Sequence, residues 1–421
     1  MKYFKRPFAL IAILLVIAIL LPACASGKSG ETTAAEGAAD TPEETRQVKL
    51  TIAGADVSDY VIVYANNEYS NVKSSMLKKL IYTEYDFYKL TAISISERIA
   101  ALTGVTLTVV NEDKAETVDK EIIVGPSARA ESKANKYDDM DVHEYLNNVQ
   151  GSKLVIGGGH ISTALTGNTR TSYCWAATYH AFDPIETYIK EQAASGAGSV
   201  DIPADFSQSG KADIIKTVGM IGDSITEGVG SLNSNICAYP AVMQRLLWQD
   251  YVVVNLGNSG KTMRRDLNDR YYGTPQYVAG TKYSSIYDLV FIMLGTNDSN
   301  RDRQWTDDDD EKYNDGALEI ANNISKKNDR VEFIIMNCPI YYGSDNFGSK
   351  HVRELQDALP DLFKADGKTC SFYDMYSFTK KELTKSHFPD SLHPDNEGHN
   401  MMGTELARVV TEYFAAKAEQ N

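Results

Sequence analysis

Positive charge is scarce in this chain: 42 Lys and Arg stand against 57 Asp and Glu in 421 residues, a formal net charge of −15. That balance argues against nucleic acid as a partner and against electrostatic docking on anionic lipid, while neutral glycans and esters stay compatible. Cysteine is scarce too, five in all and none in a C-x-x-C pair, so neither a zinc ribbon nor a disulfide framework is indicated. A disulfide among Cys174, Cys237, Cys338 and Cys370 is open but unassignable from spacing, and free buried thiols are the first expectation. H-E-x-x-H is absent, and His387, His393 and His399 gather near the C-terminus without a metal motif. No metal site and no cofactor is expected. Gly157-Gly158-Gly159-His160 lacks the lysine and hydroxyl residue of a phosphate loop and reads as a tight turn. The acidic run 307–311 lacks EF-hand spacing and suits the first turn of a helix, where negative charge meets the positive dipole end.

What remains is an ordinary globular composition, 43% apolar and 24% charged, with length for two or three domains. Lys2, Lys5 and Arg6 precede an apolar run at 8–21, too short for a comfortable membrane span and suited to a signal peptide. It ends at Leu21-Pro22-Ala23-Cys24, which resembles a bacterial lipobox with Cys24 as the lipidated residue. The expected organisation is a lipoprotein signal peptide at 1–23 and a flexible tether at 24–46, whose small and polar residues cannot bury a core. A small α/β domain at 47–195, a Gly- and Ser-bearing linker at 196–212 and a second α/β domain at 213–421 follow. The expected location is the extracellular face of a bacterial cell membrane.

In the small domain, strands are predicted at 48–52, 60–64, 106–110, 121–124 and 153–156. Helices are predicted at 74–102, stopped by Gly104, and from 162 toward 194. Tyr173, Trp175, Tyr179 and Phe182 could offer a sugar-stacking face, but aromatics at helical spacing read first as core. In the second domain strands are predicted at 216–221, 251–256, 288–294, 331–337 and 371–375, and helices at 238–249, 316–327 and 351–364. Continuous apolar strands separated by helices predict a parallel, doubly wound sheet in a three-layer α/β/α sandwich.

Four stretches carry chemistry: Gly222-Asp223-Ser224, Gly257-Asn258-Ser259-Gly260-Lys261-Thr262, Gly295-Thr296-Asn297-Asp298 and Asp390-Ser391-Leu392-His393-Pro394. The first three each close an apolar strand. Acyl transfer needs a hydroxyl, a base, a carboxylate to hold the base, and donors for the oxyanion. Asp-x-x-His is short enough for one loop to present base and orienter together, with Pro394 suited to the first turn of the following helix.

From about residue 211 onward these blocks resemble the SGNH, or GDSL-type, hydrolases. The resemblance implies Ser224 as nucleophile, His393 as general base and Asp390 as its orienter. It also implies an oxyanion hole from the N–H groups of Ser224 and Gly260 and the side chain of Asn297. Gly398 fits the family's run into its last helix, and Ile225 stands where that family usually has leucine. The leading domain, with Asp59-Tyr60-Val61-Ile62-Val63-Tyr64, Thr103-Gly104-Val105, Glu121-Ile122-Ile123-Val124-Gly125 and Leu154-Val155-Ile156-Gly157-Gly158-Gly159, resembles the small domain that precedes the barrel of β-hexosaminidase-like glycosidases, which implies a carbohydrate setting. The expected function is a tethered serine esterase that removes small acyl groups, acetyl foremost, from carbohydrate. The alternatives are a lipase- or phospholipid-type hydrolase of the same fold and a non-catalytic glycan-binding lipoprotein.

Overall fold

Runs of apolar residues too short for helices set the strands, and the structure, a computed structural model, describes residues 47–66, 86–159, 175–298, 305–344 and 347–420. The signal peptide, Cys24, the tether, His160, Tyr173, Cys174 and the helix predicted over 74–85 and 162–174 lie outside the described residues. The leading part contains β1 (Lys49–Ile52), β2 (Ala55–Asp56), β3 (Val61–Tyr64), β4 (Thr108–Asn111), β5 (Glu121–Val124), β6 (Glu144–Gln150), β7 (Lys153–Gly158), β8 (Ser199–Ile202) and β9 (Ser207–Lys211). They form a sheet in the order β4-β3-β5-β7-β6-β9 and a smaller one in the order β2-β1-β8. β5 and β7 are buried along their whole length, which explains why these parallel strands are apolar apart from Glu121 and Lys153, which pair with each other at 3.1 Å. The helix Phe87–Thr103 starts at Asp86, whose carboxylate caps Lys89 N–H, and stops at Gly104 in the left-handed conformation, φ 76°.

The stretch read as a linker at 196–212 instead supplies two strands. β8 pairs in parallel with β1, and β9 pairs antiparallel with β6. Both strands alternate in exposure: β8 buries Val200 and Ile202 in the apolar core, whereas the polar sequence of β9, Ser-Gln-Ser-Gly-Lys, marks an edge strand held mainly by backbone pairing. Trp175 and Phe182 are core residues, in accord with the packing interpretation.

The second part contains β10 (Lys216–Gly222), β11 (Tyr251–Gly257), β12 (Leu289–Met293), β13 (Glu332–Met336) and β14 (Cys370–Tyr373). All are parallel, in the order β11-β10-β12-β13-β14. One apolar cluster on one sheet face includes Tyr287, Phe333 and Phe363, and another on the opposite face includes Phe291, Met402 and Leu406. This is the three-layer doubly wound sandwich. The helix predicted at 316–327 begins nine residues earlier, as Asp307–Ser325, because Thr306 and Asp309 form a capping box.

Residues Thr45–Asn421 form one compact unit. Ile236 and Cys237 of the second part lie in the leading part's apolar core, with Trp248 packed against it. His180 bonds Asp183 at 2.6 Å and Asp250 at 2.8 Å. Burial alone would lower its pKa, but these carboxylates raise it to about 9, so a charged imidazolium clamps the two parts together at neutral pH.

Candidate active site

In a parallel sheet the strand order reverses at a switch point, and ligands bind where the C-terminal strand ends diverge there. Here the reversal lies between β10 and β12, with β11 on the other side of β10. Ser224 follows β10, Gly260 follows β11 and Asn297 follows β12.

β10 ends at Gly222 for steric reasons. A Cβ there would lie 1.9 Å from Thr226 Oγ1 and 3.0 Å from Met293 O. The constraint is space, since Gly222 is not among the residues with positive φ. Asp223 then caps the single turn Ser224–Glu227 by accepting from Ile225 N–H at 3.0 Å, and Gly228, φ 100°, closes it. Ser224 is nearly buried, 3% exposed. Asp223 is fully buried beneath it, and burial pushes its carboxyl up to about 6 against the opposing pull of Thr296 and the Ile225 N–H. Ile225 is buried in the core, so the apolar change at that position keeps its packing role.

His393 Nε2 lies 2.8 Å from Ser224 Oγ, and His393 Nδ1 lies 2.6 Å from Asp390 Oδ2. The other Asp390 oxygen accepts from the N–H groups of Leu392 and His393 at 2.9 and 2.7 Å, an Asx turn that folds carboxylate and imidazole into one rigid unit. Burial pulls the Asp390 pKa up, but the His393 N–H and ring and the Leu392 N–H outweigh it and hold the carboxyl below its usual range. Ser391 adopts φ 72° to make the turn. Pro394 lies outside the first helical turn, contrary to its expected place: Asp395 is the N-cap of the helix Asn396–Ala418, and its carboxylate caps Gly398 N–H. That helix packs on Tyr239–Leu246, where Gly403 has backbone and Val242 atoms within 3 Å of where a Cβ would stand.

Gly260 adopts φ 72° with open space where a side chain would stand. Neither its N–H nor that of Ser224 has an acceptor among the described residues. The loop carrying Gly260 is held by Asn258 N–H on Gly222 O at 3.0 Å and by Ser259 N–H on Glu227 Oε2 at 2.5 Å. Asn297 donates from Nδ2 to Lys261 O at 3.0 Å, which fixes the plane of its carboxamide and the direction of both its hydrogens.

The three histidines near the C-terminus have separate tasks. His393 faces Ser224, His387 caps Thr384 through Nδ1, and His399 is buried on the terminal helix with Nε2 on Val229 O at 3.2 Å. Burial drives His399 down to about 4, so it is neutral. Sequence patterns missed Asp298, which accepts from Met263 and Arg264 N–H at 2.9 and 3.0 Å, and Glu227. Both act on a loop from another strand, a relationship without a local sequence signal.

A nearly buried serine at the switch point, relayed through histidine to aspartate and flanked by two N–H groups that have no acceptor among the described residues, is an arrangement suited to acyl transfer. Residues 220–401 match the GDSL-like Lipase/Acylhydrolase family. Among solved structures, a family two carbohydrate esterase from Clostridium thermocellum in complex with cellohexaose is similar at 17% identity over 50% of this chain and 68% of that one, TM-score 0.38. A carbohydrate acetylesterase from Sinorhizobium meliloti is similar at 18% identity over 47% and 99%, TM-score 0.36. The aryl esterase of M. smegmatis is similar at 17% identity over 47% and 99%, TM-score 0.36. No curated protein matches the chain.

Proposed function

We propose that the chain is a serine esterase of the SGNH type, anchored by lipid at Cys24 to the outer face of a bacterial membrane, that removes small acyl groups, acetyl foremost, from carbohydrate. The observation that carries the hydrolase assignment is the continuous relay from Ser224 Oγ through His393 to Asp390, with links of 2.8 and 2.6 Å.

In this reading Ser224 Oγ attacks the ester carbonyl as neutral His393 takes its proton, and Asp390 stabilises the imidazolium that results. The carbonyl oxygen becomes an oxyanion held by the N–H groups of Ser224 and Gly260 and the carboxamide of Asn297. Collapse breaks the bond to the alcohol, which leaves with the proton from His393. Water, deprotonated by the same imidazole, then attacks the acyl-enzyme, and the acid departs as Ser224 regains its proton. Two carboxylates thus serve different ends: Asp390 orients the base, whereas Asp223 supports the turn beneath the nucleophile.

The acetyl and carbohydrate assignments rest on the leading domain's resemblance and on the extracellular setting that Cys24 implies. Rates on nitrophenyl acetate, butyrate and octanoate test the first: a preference for octanoate establishes the lipase-like alternative instead. Acetate release from acetylated polysaccharides, lost in Ser224→Ala, tests the second, and detergent partition of the full chain against Cys24→Ala tests the anchor. Ligand binding without any Ser224-dependent turnover would leave the non-catalytic glycan-binding alternative.

A further inference from the structure

β11 and β12 do not touch. β10 lies between them and pairs with both, so the loops that follow β11 and β12 start about two strand spacings, roughly 10 Å, apart. Yet Gly260 on the first loop and Asn297 on the second must face one carbonyl oxygen if both are to stabilise it. Something has to draw the loops together over the end of β10.

The described contacts identify it. Asp298 is fully buried, and its carboxylate reaches across to the β11 loop, Oδ2 accepting from Met263 N–H at 2.9 Å and Oδ1 from Arg264 N–H at 3.0 Å. Its neighbour Asn297 adds the bond to Lys261 O. The far side of the loop is closed by the helix Asp307–Ser325, where a Cβ on Gly316 would stand 2.3 Å from Met263 O. The Arg264 side chain is pinned as well, to Asp266 and Asp309. The loop therefore cannot drift outward, and the two bonds to Asp298 join those to Gly222 O, Glu227 and Asn297 in setting its depth over β10. A carboxylate suits this task because two N–H groups need two acceptor oxygens. A carboxamide offers one, and turns an N–H against the other donor.

We propose that Asp298 is the positioning residue of the oxyanion site: by holding Met263 and Arg264 it fixes Gly260 N–H relative to Asn297, so that both donors meet the same developing charge. The proposal rests on the esterase reading above. Asp298 itself touches neither substrate nor the reacting atoms.

The test is a double-mutant cycle on the full chain with nitrophenyl acetate. Wild-type turnover that vanishes in Ser224→Ala establishes the esterase reading; its absence would overturn that reading and this one together. Asp298→Asn is expected to lower kcat about 10- to 100-fold with KM within about threefold, the scale of a misplaced donor. Asn297→Ala is expected to lose about 10²–10³-fold, and the pair should be no more than about threefold worse than Asn297→Ala alone, because the site Asp298 positions is already broken. An Asp298→Asn rate near wild type, or losses that multiply in the pair, would overturn the assignment while leaving the esterase reading intact. Asp298→Ser, which keeps one acceptor, serves if Asp298→Asn does not melt cooperatively. If neither variant folds, Asp298 is a folding residue and the assignment falls.

Discussion

Ser224 Oγ and His393 Nε2 stand 2.8 Å apart although 169 positions separate the two residues in the chain. Part of what places the imidazole is Gly230. It sits at φ 93°, and a Cβ there would lie 2.3 Å from Pro394 O and 3.1 Å from His393 Cβ. Gly230→Ala should therefore push the histidine loop away from Ser224. We expect kcat to fall about 10- to 100-fold, with a cost of about 1–2 kcal/mol from the left-handed backbone. Rates and melting temperature measured together check this, and an unchanged rate would mean that the loop yields without moving His393.

Asp390→Asn should keep the loop fold but present an N–H to His393 Nδ1, favouring the wrong tautomer. The expected loss in kcat is about 10²–10⁴-fold with KM little changed, judging from the corresponding substitution in another serine hydrolase. The Asp390 carboxyl is held below its usual range. Its contribution to stability is thus present above the unfolded value of about 3.9 and is lost as pH falls below it. Steady-state kinetics at pH 7 decide the first point, and a wild-type rate would remove Asp390 from the relay.

Asp223 has the opposite sign. Burial raises its carboxyl to about 6, so it costs nothing below the unfolded value of about 3.9 and destabilises progressively as pH climbs from there through about 6. The limiting penalty is on the order of 3 kcal/mol. Relative to wild type, Asp223→Asn should accordingly gain melting temperature between pH 4 and pH 8. A constant difference across that range would show that the carboxyl is not perturbed in the folded protein.

β10, β11 and β12 were legible because each is a largely apolar run, and their ends led to Ser224, Gly260 and Asn297. β6 and β9 were not legible. Glu-Tyr-Leu-Asn-Asn-Val-Gln and Ser-Gln-Ser-Gly-Lys carry little apolar signal, and their strand state comes from pairing with each other and with β7. The start of the helix at Asp307 was hidden because its first turn is acidic, with a cap that satisfies polar groups and buries little apolar surface. Asp298 and the pair His180–Asp250 were hidden for another reason, since contacts between distant segments leave no periodic trace.

His180 bears on how the two parts stay joined. Its pKa is raised to about 9, so its contribution to stability is fully present below the unfolded value of about 6.5 and is lost as pH rises through about 9. The two carboxylates are half-exposed, which discounts that contribution to about 1–3 kcal/mol. His180→Gln should melt well below wild type at pH 6.5, and the gap should narrow at pH 10. A gap independent of pH would assign His180 to packing alone.

The central claim is that Ser224 is a nucleophile made reactive by His393. A fluorophosphonate probe measures this directly, because it bonds covalently only to an activated serine. The account predicts modification of the wild-type chain at Ser224, none in Ser224→Ala, and labelling slowed by several orders of magnitude in His393→Ala. Labelling that persists in Ser224→Ala, or that proceeds at the wild-type rate without the imidazole, would contradict it.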